Sequence, residues 1–158
     1  GYAGSGTAAT GLMASGTDYY GGQLTYTGDS FGASVTYADL DTATAWGLNG
    51  YYAFDAGLPS VSVGYEFTEN ENEGSTADQT QWFAGLQWDE IGPGSLGIAA
   101  GNKGPQSDGG TEEMAYEAFY AYSVNDSMTI TPAVFILENN GSGETDETGF
   151  VVKTSFSF

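Results

Sequence analysis

TGFVVKTSFSF, at Thr148–Phe158, decides the fold. Phe150, Val152, Thr154, Phe156 and Phe158 alternate with Val151, Lys153, Ser155 and Ser157, the period of two that a strand imposes on its side chains. Termini of soluble domains are normally exposed and frayed, so an alternating run that finishes on a bare Phe is out of place in one. A strand that crosses a bilayer needs about 9–11 residues, with one face toward lipid and the other toward a lumen, and this stretch supplies both.

Working back from that stretch, the same alternation recurs. Residues 1–19 are small, polar and glycine-rich without a period, and read as a loop leading from barrel sequence upstream. From Tyr20, the chain reads as nine alternating strands. Tyr20, Leu24 and Tyr26 precede the turn Gly28-Asp29-Ser30, and Phe31, Val35 and Tyr37 follow it. Trp46, Leu48, Gly50, Tyr52 and Phe54 share the next face. Val61, Val63, Tyr65 and Phe67 form the clearest dyad pattern, followed by Trp82 to Trp88, Leu96 to Ala100, Tyr116 to Val124, Met128 to Ile136 and the terminal run. Pro132 counts against the eighth strand, because it cannot donate to a ladder and prefers edges or bulges.

Connections at 28–30, 55–59, 89–94 and 125–127 read as short, and those at 39–44, 69–79, 102–113 and 138–147 as longer. A strict alternation puts every short turn at one end of the sheet, as in outer-membrane barrels with short periplasmic turns. Thirteen of the 21 acids fall in the four longer connections. The expected fold is therefore all-β: an antiparallel up-and-down transmembrane barrel over 20–158. Nine strands cannot close a porin of roughly 16, so they form the C-terminal part of a larger barrel.

The composition sets limits on function. Leu, Ile, Val and Phe make only 28 of 158 residues and the net charge is -19, figures that alone suggest disorder. The 11 Tyr, 9 Phe and 3 Trp argue the opposite, because disordered chains lack aromatics. Two basic residues against 21 acids exclude phosphate neutralisation, and with it nucleic-acid binding. Without Cys or His there is no thiol chemistry and no imidazole general base or ligand, and neither catalysis nor a cofactor is expected. No apolar run is long enough for a transmembrane helix.

The outward faces carry aromatics toward both ends: Trp46 and Phe54, Trp82 and Trp88, Phe150 and Phe158 are the expected membrane girdle. Eight residues between such a pair cover about 26 Å of strand at roughly 3.3 Å each. Tilted about 40°, they span roughly 20 Å of membrane. The opposite faces would line the lumen with Asn49, Tyr51, Glu66, Gln87, Glu117 and Lys153, of which Glu66, Glu117 and Lys153 are the candidates for tuning ion selectivity.

In order and spacing, GLNGYYAFDAGLPSVSVGYEF, WFAGLQWDEIGPGSLGIAAG, YEAFYAYSVNDSMTITPAVFILEN and GFVVKTSFSF resemble the C-terminal part of the cyanobacterial outer-membrane porins, the carbohydrate-porin-like or iron-uptake porin family. The resemblance covers roughly residues 45 to 158, and the YxYSVNDSMTITP hairpin and the aromatic last strand are its most specific parts. It implies a trimeric, water-filled barrel in the outer membrane that passes ions and small solutes by diffusion, with Phe158 as an assembly signal. Family members also carry an N-terminal surface-layer homology domain and a longer barrel, which this sequence lacks.

Two motifs invite other chemistry. Gly92-Pro93-Gly94-Ser95-Leu96-Gly97 spells G-x-G-x-x-G, but a strand follows instead of a helix, so it reads as a hairpin turn. The acid runs Glu69, Glu71, Glu73 and Glu138, Glu144, Asp146, Glu147 offer oxygen ligands for Ca²⁺ or Mg²⁺, yet none has the spacing of a calcium loop. They read as solvated loops that bias a pore mouth toward cations, with no resident metal. A soluble or surface-displayed β-domain for adhesion or binding and a complete eight-stranded membrane barrel remain open as alternatives.

Overall fold

The computed structural model describes residues 2–5, 17–40, 42–55, 57–71, 77–104, 106–107, 109–140 and 145–157. The nine expected strands are present as β2 (Thr17–Thr27), β3 (Phe31–Asp39), β4 (Ala43–Tyr52), β5 (Ser60–Asn70), β6 (Gln79–Ile91), β7 (Gly94–Asn102), β9 (Met114–Asn125), β10 (Met128–Leu137) and β11 (Glu147–Phe156). Two short strands join them, β1 (Tyr2–Ser5) and β8 (Gln106–Ser107). Every pairing is antiparallel, in one sheet ordered β1-β2-β3-β4-β5-β6-β7-β9-β10-β11 with β8 beside β6.

Three expectations are corrected. The segment read as a loop contains β1, paired Tyr2 to Tyr20 and Ser5 to Thr17, and β2 starts before Tyr20. Its Gly, Ala and Ser residues give no apolar alternation, so the strand leaves no trace in the pattern. Short and long connections do not alternate strictly. β3 to β4 takes only Leu40–Thr42, because Asp39 and Thr44 pair as part of the ladder, whereas β4 to β5 spans seven residues, 53–59. Phe54 lies beyond the end of β4, its ring set edge-on against Tyr52 at 4.6 Å.

Local chemistry explains the turns. Gly92, at φ 63°, stands before Pro93 in a two-residue connection, the glycine-first arrangement of a type II′ hairpin turn. This is the structure of the G-x-G-x-x-G segment. At the next short turn, Ser127 N–H donates to Asn125 Oδ1 at 2.9 Å. Pro132 sits inside a sheet after all. Its β11 partner is Val152, while the β9 ladder skips Thr131 and Pro132 without losing register, which accommodates the missing amide.

The register also fixes the tilt. One level of the sheet runs through Tyr26, Ala33, Gly50, Val63, Ala84, Ala100, Tyr116, Ile136 and Thr148. Tyr26 is one residue from the turn end of β2, but Thr148 is eight residues from the corresponding end of β11. A slip of seven residues is about 23 Å along the strands, against roughly 38 Å across eight strand spacings. The strands therefore lean by about 30°, less than the expected tilt of about 40°. A ten-residue strand such as β10 then spans roughly 29 Å, enough for a lipid band of about 25 Å.

Among the described residues, nothing covers either side of the sheet. Ala43 is the one buried hydrophobic residue among those described, and no large side chain is fully buried. The accessible surface is 10684 Å², whereas a folded globular chain of 16.4 kDa exposes about 7,500 Å².

Candidate channel wall and loop rim

Because paired residues on neighbouring strands share a face, the ladders sort the side chains into two sets. The apolar face carries Leu24, Val35, Leu48, Tyr65 and Trp82 at one level and Tyr52, Val61, Leu86, Ile98, Ala118, Val134 and Phe150 at another. Leu24 is 74% exposed, Leu48 55% and Phe150 65%. Aromatic rings gather toward the ends: Tyr37 against Trp46 at 4.6 Å on the long-loop side, and Tyr26 against Phe31 at 5.1 Å on the short-turn side.

Of the residues expected to form a girdle, Trp46, Trp82, Trp88 and Phe150 all stand on this face. Trp46, Trp82 and Phe150 are near the long-loop end and Trp88 is near the short turns. Phe54 follows β4 on the short-turn side. Phe158 lies outside the described residues, as do Glu73 and Glu144 of the acid runs.

The expected lumen residues Asn49, Tyr51, Glu66, Gln87, Glu117 and Lys153 all fall on the opposite, mainly polar face, and all are exposed. They are spread across it and do not converge. Glu66 faces Gly47 and Gln81, Glu117 faces Ala99 and Phe135, and Lys153 faces Thr131. Both glutamates lie in the long-loop half of their strands, and Lys153 in the short-turn half of β11. Gln87 Nε2 donates to Asp89 Oδ1 at 2.8 Å. Among the described residues no group of three or more carboxylates is placed to hold a metal ion.

The sequence reading missed a second feature of this face. Tyr51, Phe83, Phe119 and Phe135 point to the polar side, and each is paired directly with a glycine: Gly32, Gly64, Gly97 and Gly149 respectively. A Cβ added to any of these glycines would overlap the facing ring. Gly32, Gly64 and Gly97 are buried in a sheet that buries almost nothing else. Packing an aromatic across a strand glycine replaces the contact that the glycine cannot make itself. Part of the signal was available, since each ring breaks the polar phase of its own strand, but the glycine it rests on is fixed by register.

A third feature ties the long connections together at the rim. Lys103 Nζ donates to Glu113 Oε2 at 3.2 Å, to the Glu138 carbonyl at 3.3 Å and to Asn139 Oδ1. Asn140 N–H donates to Glu113 Oε1 at 3.1 Å, and its side-chain amide to the Glu112 carbonyl at 2.9 Å. Glu112 Oε1 in turn accepts from Trp82 Nε1 at 3.0 Å and Asn102 Nδ2 at 2.8 Å, and Asn102 Oδ1 accepts from the Trp82 backbone N–H at 2.6 Å. Asn102, 8% exposed, is the buried polar residue of the described chain. The Asn140 amide first, and the Lys103 ammonium second, hold the Glu113 carboxyl below its ordinary range. Glu138 closes the group, accepting from Met114 N–H at 3.2 Å and Tyr116 OH at 3.1 Å.

An uncovered sheet with one apolar and one polar face is what a segment of membrane-barrel wall requires. The sequence profile of the Gram-negative porins matches residues 1–144. No curated protein and no solved structure shows a significant match. The profile spans most of the chain, and the sheet has the geometry such a protein needs; the chain belongs to the Gram-negative porin family, channel proteins of the outer membrane.

Proposed function

We propose that the chain forms part of the wall of a water-filled channel through which ions and small solutes diffuse, with its apolar face toward lipid and its polar face toward water. The observation that carries this is the phase of the sheet: across nine long strands the exposed large aliphatic residues keep to one side, with Val151 on the edge strand as an exception. A soluble β-sandwich would cover that side with a second layer. Trp46, Phe54, Trp82, Trp88, Phe150 and Phe158 then serve as girdle residues, where an indole or ring can meet both lipid and water.

Within this reading Asn49, Tyr51, Glu66, Gln87, Glu117 and Lys153 line the lumen. Glu66 and Glu117, with the acidic connections above them, favour cations, and the channel works as a homotrimer. Further strands complete the barrel around the open sheet. The test is extraction from outer membranes in detergent, gel mobility before and after heating, and conductance in planar bilayers. A heat-modifiable trimer with stepwise conductance supports the reading. A protein that is soluble without detergent and makes no conductance overturns it.

A further inference from the structure

We propose that Gly32, Gly97 and Gly149 set the bore of the channel, by giving Tyr51, Phe119 and Phe135 a floor on which their rings lie flat against the wall. The inference rests on the assignment of the polar face to the lumen. On that face an aromatic ring can either stand up into the water or lie down across the next strand. It lies down only where that strand has no Cβ, and in each pair the facing residue is a glycine.

The other flank of each ring is closed. Opposite Tyr51 on its second side is Ser62, opposite Phe119 is Ala133, and opposite Phe135 is Glu117, all of which carry a Cβ. A Cβ placed on the floor glycine enters from below the ring, so the ring can leave only upward, into the lumen. Phe83 differs. It has Gly64 on one side and Gly101 on the other, and the side of Gly101 that it faces is already filled by the Trp82 carbonyl and the backbone of Phe83 itself. An alanine should therefore narrow the bore at Gly97 and Gly149, where the ring has one floor and one closed flank.

Gly47 supplies the control. It is on the polar face, but a Cβ there would meet Thr36 Cβ at an ordinary 3.6 Å and no ring. The experiment is single-channel conductance of the full-length porin, as extracted from the outer membrane, for Gly97→Ala, Gly149→Ala and Gly47→Ala. Expected are lower conductance for the first two, parental conductance for Gly47→Ala, and recovery in Gly97→Ala with Phe119→Ala. Parental conductance in assembled Gly97→Ala, or an equal fall in Gly47→Ala, overturns the proposal. If Gly97→Ala does not assemble, Phe119→Ala alone decides. A flat ring rises only about 3.5 Å above the wall, so its removal changes conductance little, and a large rise overturns the proposal. A parent that never conducts refutes the lumen assignment instead.

Discussion

Lys103 and Glu113 stand at the two ends of one connection and meet twice: Lys103 N–H donates to the Glu113 carbonyl at 2.8 Å, and Lys103 Nζ reaches Glu113 Oε2 at 3.2 Å. The pair closes the β7–β9 connection at its base. Through Glu138 and Asn139 the same ammonium also holds the start of the β10–β11 connection, so one cation fastens two loops in a very acidic neighbourhood.

Removing that cation should loosen both loops without unfolding the sheet. Lys103→Met is expected to speed proteolytic cleavage within 103–113 and 138–146, while Lys153→Met leaves it unchanged. An exposed, solvent-screened ion pair contributes little to stability, so the heat-modification temperature should move little. Equal cleavage rates in the two variants would rule out the fastening role.

Acid should act on the same fastening. The Glu113 carboxyl is held below its ordinary value in the folded protein, so its contribution is fully present above the unfolded-state pKa and is lost as pH falls through the lower, folded value. Loop cleavage by an acid-active protease should rise only below the usual carboxylate range. Glu113→Gln should flatten that part of the profile, and an unchanged profile in the variant would assign the acid response elsewhere.

Asn102 bridges β6 to the β7–β9 connection from a buried position. Asn102→Ala leaves the Glu112 carboxylate and a shielded Trp82 N–H short of a partner, at a cost of about 1–3 kcal/mol. The urea midpoint of the membrane-embedded protein measures it, and Asn125→Ala, at an exposed turn, is the comparison.

The two faces should respond oppositely to charge. Leu48→Arg puts a guanidinium in the middle of the apolar face and should cost about 2–4 kcal/mol or block membrane assembly. Gln23→Arg, on the polar face beside Thr36, should be tolerated. Yields in outer-membrane fractions distinguish the two, and equal yields would contradict the lipid assignment.

Selectivity offers a further measurement. Glu66→Gln with Glu117→Gln should lower cation preference, read as a smaller reversal potential under a salt gradient. Unchanged potentials would move the selectivity to the acidic connections.

Much of this sheet was legible because alternation survives in single strands: Val61 to Phe67 and Phe150 to Phe156 declare their faces without help from neighbours. What depends on register was not. That Phe119 lies on Gly97 becomes evident only when β9 is laid against β7, which are separated in sequence by a long connection. Asp39 and Thr44 look like loop residues by composition, yet they pair as the last rung of a hairpin, where the backbone rather than the side chain decides. The rim group around Lys103 draws on four separate segments, and no spacing along the chain announces it.

The absence of a packed interior has a consequence for how this wall can vary. In a globular core, truncating a leucine costs the lost transfer energy and leaves a hole that rigid neighbours cannot fill. With the apolar face toward lipid, as proposed, the neighbours of Leu24 and Leu48 are fluid acyl chains that flow into the gap, leaving only the transfer loss of about 0.8 kcal/mol per methylene. The apolar surface is thus free to drift among apolar side chains of almost any shape. The polar surface, where rings rest on glycines, is the part of this protein that must fit.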